Sequence, residues 1–114
     1  MDCFWTAFVD AKTREKTAKI AAHLEFKADA TFHDLEIEPY QKTGHKFRFT
    51  TRHDIAEWTA MVFDVMLTAQ RMGYRWVIAG GVDEELSLTS TGAQTAGIVM
   101  LTCWCWPTQE QDGG

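Results

Sequence analysis

The chain has 114 residues, of which 46% are hydrophobic and 24% charged, with a formal net charge of −5. That length holds one domain with a real core, and the composition excludes wholesale disorder as well as collagen-like or coiled-coil architecture. No run approaches the roughly 20 apolar residues of a membrane span, the first residues reach Asp10 before an apolar targeting segment can form, and an acidic chain lacks the clustered cations that neutralise nucleic-acid phosphates.

The pattern of residues 4–9 is aromatic and β-branched, as a strand requires, and Asp10 supplies an expected helix N-cap. Thr17, Ile20, Ala21 and Leu24 then recur at helical spacing, with Lys12, Lys16, Lys19 and His23 toward the other side. Over residues 31–38, His33, Leu35 and Ile37 alternate with Asp34, Glu36 and Glu38, which predicts a half-buried strand ended by Pro39. A polar stretch, 41–44, leads to a second alternating arm over 46–50, so a hairpin is expected.

Asp54 followed by Glu57 reads as an N-cap with an acid at the third helical position. The apolar stripe of Ile55, Trp58, Val62, Val65, Met66 and Ala69 predicts a second helix lying flat on a sheet until Gly73. Residues 74–79 form a strand by composition, Gly80 and Gly81 break it, residues 86–89 give a short strand, and a last strand covers 98–106 before Pro107. The order β-α-β-β-α-β, with one or two extra strands at the end, predicts an α+β fold of ferredoxin-like type, with two helices on one face of the sheet and the other face uncovered. A single domain over 1–107 and a disordered tail over 108–114 complete the expected organisation.

Several constellations bear on chemistry. In Cys103-Trp104-Cys105-Trp106 strand alternation sends both thiols to one face and both indoles to the other. The thiols are expected inward and the indoles outward, beside Trp5 or Trp76, where Trp104 and Trp106 can anchor a partner. Three cysteines make no disulfide framework, and Cys-x-Cys on a strand lacks the turn geometry of a zinc knuckle, so free thiols and no metal are expected. His53 could pair with Glu36, Glu38 or Asp54 as an acid–base couple, and His33 with His45 across the hairpin, although surface or capping roles are simpler. Gly80-Gly81 is followed by Asp83, Glu84 and Glu85 rather than Lys, which reads as a turn and not a phosphate loop. No Gly-x-Ser-x-Gly elbow and no cofactor motif is present.

After Arg75 the chain contains no Lys or Arg, while Asp83, Glu84, Glu85, Glu110 and Asp112 fall in that final third. Acids that steer and indoles that anchor suit the capture of a basic protein. The expected function is a small cytoplasmic inhibitor, most concretely an immunity protein that neutralises a basic toxin such as a nuclease, with Asp83, Glu84, Glu85, Trp104 and Trp106 as its partner-binding residues. Two alternatives stand beside it: a ligand-sensing or regulatory ferredoxin-like domain that dimerises through its sheet, and a small enzyme using a His/carboxylate pair. No cofactor, nucleic acid or membrane is expected.

Overall fold

The structure is a computed structural model that describes residues 1–107. The tail expected over 108–114 lies outside the described residues. In chain order the elements are β1 (Asp2–Val9), α1 (Arg14–Ala28), β2 (His33–Tyr40), β3 (Gly44–Arg52), α2 (Trp58–Met72), β4 (Gly73–Tyr74), β5 (Val77–Ala79), β6 (Leu86–Ser90), β7 (Gly92–Ala93) and β8 (Ile98–Cys105). Six strands form one sheet in the order β2-β3-β1-β8-β6-β5, and β4 pairs separately with β7. Every neighbouring pair in both sheets is antiparallel. The fold is therefore α+β. The ferredoxin-like arrangement expected, with one or two extra strands at its end, is not what the strand order shows: β8 lies between β1 and β6, β5 lies at the far edge, and β4 leaves the sheet to pair with β7.

Burial follows strand parity. Cys3, Trp5, Ala7 and Val9 of β1 are buried, as are Phe47 and Phe49 of β3, Leu86 and Leu88 of β6, and Leu101, Cys103 and Cys105 of β8. They form one cluster with Ile20, Ala21, Leu24 and Ala28 of α1 and Met61, Val65, Ala69 and Met72 of α2. Both helices thus cover the same face, since side chains of one parity share one side of a sheet. Trp5 is the largest fully buried side chain, stacked on Phe49 at 6.1 Å and met edge-on by Trp76.

Helix boundaries are set by capping groups that differ from those expected. Thr13, not Asp10, caps α1, its hydroxyl accepting the Lys16 N–H; Asp10 instead donates its backbone N–H to the Gly97 carbonyl. Asp29 closes α1 in the left-handed conformation that Asp tolerates better than most residues. Glu57, not Asp54, caps α2, and its carboxylate accepts the N–H groups of Thr59 and Ala60. A carboxylate at this end also meets the positive pole of the helix dipole.

Two strand predictions are corrected. Pro39 does not end β2, which continues to Tyr40; β2 is an edge strand, and a residue without an N–H is tolerated there. The single strand expected over 74–79 is broken at Arg75, whose φ of 57° turns the chain, so that Tyr74 pairs with Gly92 while Val77 pairs with Thr89. The pairing of β2 is also irregular between His33 and Glu36, with Asp34 at φ 55°, so Leu35 is exposed and only Ile37 of the expected apolar face is half-buried against the core.

Candidate functional site

The sheet face opposite the helices carries the densest aromatic group. Phe4 lies opposite Trp104 in the register of β1 with β8, and opposite Thr50 in the register of β1 with β3. Parity therefore points both rings away from the helices. Phe4 stacks on Trp106 with centroids 5.4 Å apart, and Trp106 lies 4.8 Å from Trp104. The three remain 43%, 44% and 51% exposed, respectively. Three rings pack on one another while each keeps much of its surface in water, which leaves a contiguous aromatic patch on this face.

The acids reach this group through the turn before β6. Glu84 and Glu85 both donate backbone N–H groups to the Gly81 carbonyl, which closes the turn that presents Asp83 and Glu84 to solvent. Glu85 folds back, and its carboxylate accepts the indole N–H of Trp104 at 2.9 Å. Of the five expected partner-binding residues, Glu85, Trp104 and Trp106 are thus joined, while Asp83 and Glu84 project from the same turn. None of the three acids forms an ion pair among the described residues.

The opposite end of this face is electrically closed. Arg48 meets Glu36 at 3.7 Å and Glu38 at 3.4 Å, and Lys46 meets Glu38 at 3.2 Å while lying over the Tyr40 ring. Its cations are already matched by acids of β2. The face therefore has an aromatic and anionic end on β8 and β6 and a neutralised end on β3 and β2.

On the helix side His53 makes contacts different from those expected. Its Nδ1 lies 2.6 Å from Asp64 of α2 and its Nε2 2.8 Å from the Thr51 hydroxyl, which also accepts the Trp5 indole N–H at 2.8 Å. Glu36, Glu38 and Asp54 are not its partners. His33 and His45 do not face each other either: His33 lies opposite Thr50 and His45 opposite Pro39, with the His45 ring 2.9 Å from the Ala11 carbonyl. A pocket of about 300 Å³ opens beside His53, lined among others by Asp29, His33, Arg52, Asp64 and Arg71.

An Asp-His-hydroxyl chain is the arrangement used in acyl transfer. Here the hydroxyl belongs to a residue only 1% exposed, in the wall of that pocket, and is already engaged by Trp5. The chain instead fastens β1, β3 and α2 to one another.

The thiols point inward, as expected. The Cys3 and Cys103 sulfurs are 2.9 Å apart, and both thiols have pKa values raised well above the ordinary range, chiefly by burial. The Cys105 thiol is lowered to about 4, chiefly by the neighbouring Cys103 and Cys3 thiols. Among the described residues no group of three His, Cys, Asp or Glu side chains is arranged to hold a metal ion. The indoles of Trp104 and Trp106 lie beside Phe4 and not beside Trp5 or Trp76, both of which belong to the inner face.

Two residues of these sites escaped the sequence. Phe4 read only as a strand residue, although its parity relative to Trp5 already placed it on the outer face. Asp64 was hidden in the apolar stripe of α2; its one signal was Thr68, four residues on, since two polar residues on one turn of a buried helix face imply a polar partner. No helix is long and apolar enough to cross a membrane among the described residues. No family model, curated protein or solved structure matches the chain.

Proposed function

We propose that this chain is a protein-binding inhibitor, most concretely an immunity protein that neutralises a basic toxin such as a nuclease, and that it docks through the aromatic and anionic end of its uncovered sheet face. The observation that carries this reading is the bond from the exposed Trp104 indole to Glu85, which sets an unpaired acidic turn against a three-ring aromatic cluster. Aromatic side chains supply buried area at low entropic cost, and unpaired acids accelerate encounter with a cationic surface. The β2-β3-β1 part of the sheet supports reading the scaffold as an elaborated ferredoxin-like fold in which β8 takes the fourth strand's place.

The test is surface-captured binding kinetics against the product of the neighbouring reading frame at low and high salt. Asp83→Lys, Glu84→Lys and Glu85→Lys together are expected to slow association and flatten its salt dependence. Trp104→Ala is expected to speed dissociation by about tenfold or more, the effect of losing a hot-spot anchor. Absence of binding, or kinetics indifferent to all four substitutions, removes the support for this reading. A second reading uses the same rings to join two copies of the chain across the open face; light scattering that returns a dimer disrupted by Trp104→Ala favours it instead.

A further inference from the structure

We propose that Cys3 of β1 and the thiols of β8 form an oxidation site, at which hydrogen peroxide closes a disulfide across the two strands that comes to rest between Cys3 and Cys103. The geometry carries the inference. Two non-bonded sulfurs at 2.9 Å are already nearer each other than their atomic radii favour, and formation of an S–S bond of about 2.05 Å needs only a small further closure. The spacing is less suited to a metal, because two sulfurs bound to one zinc at about 2.3 Å each stand roughly 3.7 Å apart in a tetrahedral site.

Cys105 supplies the entry: the register that sets Phe4 opposite Trp104 places Cys105 beside Cys3 on the inner face, and its thiol is the one held below the ordinary range. Its thiolate attacks one peroxide oxygen; an S–O bond forms, the O–O bond breaks, and the departing hydroxide takes up a proton to leave as water. The Cys105 sulfenic acid is then attacked by Cys3, whose thiol proton leaves with the sulfenic hydroxyl as a second water, joining Cys3 to Cys105. Cys103 gives up its thiol proton to water and attacks the Cys3 sulfur; the Cys3–Cys103 bond forms, the Cys3–Cys105 bond breaks, and Cys105 leaves as the thiolate, so the proton released here balances the one taken up by the departing hydroxide. In sum two thiols lose two electrons and two protons, and one peroxide becomes two waters. A bond within β8 between Cys103 and Cys105 is disfavoured, because the sulfurs already in contact are those of Cys3 and Cys103.

Burial sets the selectivity. All three thiols are buried, so peroxide is admitted by small openings of the core while a bulky aromatic disulfide reagent is not. The experiment treats the native full chain with peroxide, blocks remaining thiols with iodoacetamide under denaturing conditions, and maps a tryptic digest by mass. Since no Lys or Arg follows Arg75, Cys103 and Cys105 share the peptide that begins at Trp76. The expected result is one free thiol per chain, with the peptide holding Cys3 joined to that beginning at Trp76. Cys3→Ser is expected to abolish the link, and Cys105→Ser to keep it while slowing its formation at least tenfold. Three free thiols after treatment, or links only between separate chains, overturn the site. Loss of the link in Cys105→Ser overturns Cys103 as the resting partner, and an unchanged rate overturns the entry step. The wild-type map decides the matter even where a serine variant fails to fold.

Discussion

The Thr51 hydroxyl accepts from Trp5, so its single proton is left for His53, and His53 in turn meets Asp64. Truncating Asp64 leaves a ring nitrogen of a buried histidine without a partner, and Asp64→Ala is expected to cost about 1–2 kcal/mol, kept low because the Asp64 side chain is itself partly exposed. Trp5→Ala adds a large void to the loss of its hydrogen bond and is expected to cost about 3–5 kcal/mol. Trp58, the widest residue of the apolar stripe, packs only partly against the core and sends its indole N–H to the Val82 carbonyl. Trp58→Ala is expected to cost less than Trp5→Ala. Urea unfolding of the three variants checks this ranking, and equal midpoints for Trp5→Ala and Trp58→Ala would contradict the assignment of Trp5 as the keystone. Hydrophobicity alone cannot rank the two, since both are Trp in apolar patterns; what separates them is that Trp5 lies on the inner face of a central strand and Trp58 on the first turn of α2.

At the level of elements, the turn into β3 and the start of α2 are the points most open to test. Gly44 has a φ of 122°, and a Cβ there would sit 2.3 Å from the Ala11 carbonyl oxygen. Gly44→Ala meets both a forbidden backbone and a backbone clash, and is expected to destabilise by about 2–4 kcal/mol, read from the thermal midpoint. The Glu57 carboxyl is held below its ordinary pKa by the N–H groups of Ala60 and Thr59. A group depressed in the folded state stabilises above its unfolded pKa and loses that effect as pH falls through the folded value. The stability gap between wild type and Glu57→Ala is therefore expected to be open at neutral pH and to narrow as pH falls below the ordinary carboxyl range. Both helices, the hairpin and the last strand were legible because long periodic segments announce themselves. The caps were not, because Asp10 matches the N-cap preference as well as Thr13 does, and Asp54 matches it better than Glu57, so only the path of the chain decides between them. The split at Arg75 was equally hidden, since a left-handed arginine leaves no compositional trace.

For the molecule as a whole, charge and hydrophobicity are laid out in two layers. The helix face buries a continuous core, and the other face divides into a neutralised end and an acidic, aromatic end. The cysteine and indole alternation in β8 was legible to the residue, because a strand's period of two admits a single arrangement once burial of the thiols is granted. The union of Glu85 with Trp104 was not, because it depends on β6 lying beside β8, a neighbour relation that no local pattern encodes. The same holds for β8 beside β1.

That placement of β8 has a further consequence for the birth of the molecule. The strands at the middle of the sheet, β1 and β8, bring together residues 100 positions apart. As the chain is synthesised, at about 5–20 residues per second, β2, β3 and β1 can zip together early, yet the free edge of β1 stays bare until residues 98–105 emerge. During that interval the backbone beside Cys3, Trp5 and Ala7 is an open template for any passing strand. A nascent chain halted before Ile98 is expected to recruit holdase chaperones and to aggregate when released, whereas one that has emerged through Cys105 seals its own seam and is let go; pull-down of stalled chains of the two lengths reads the difference.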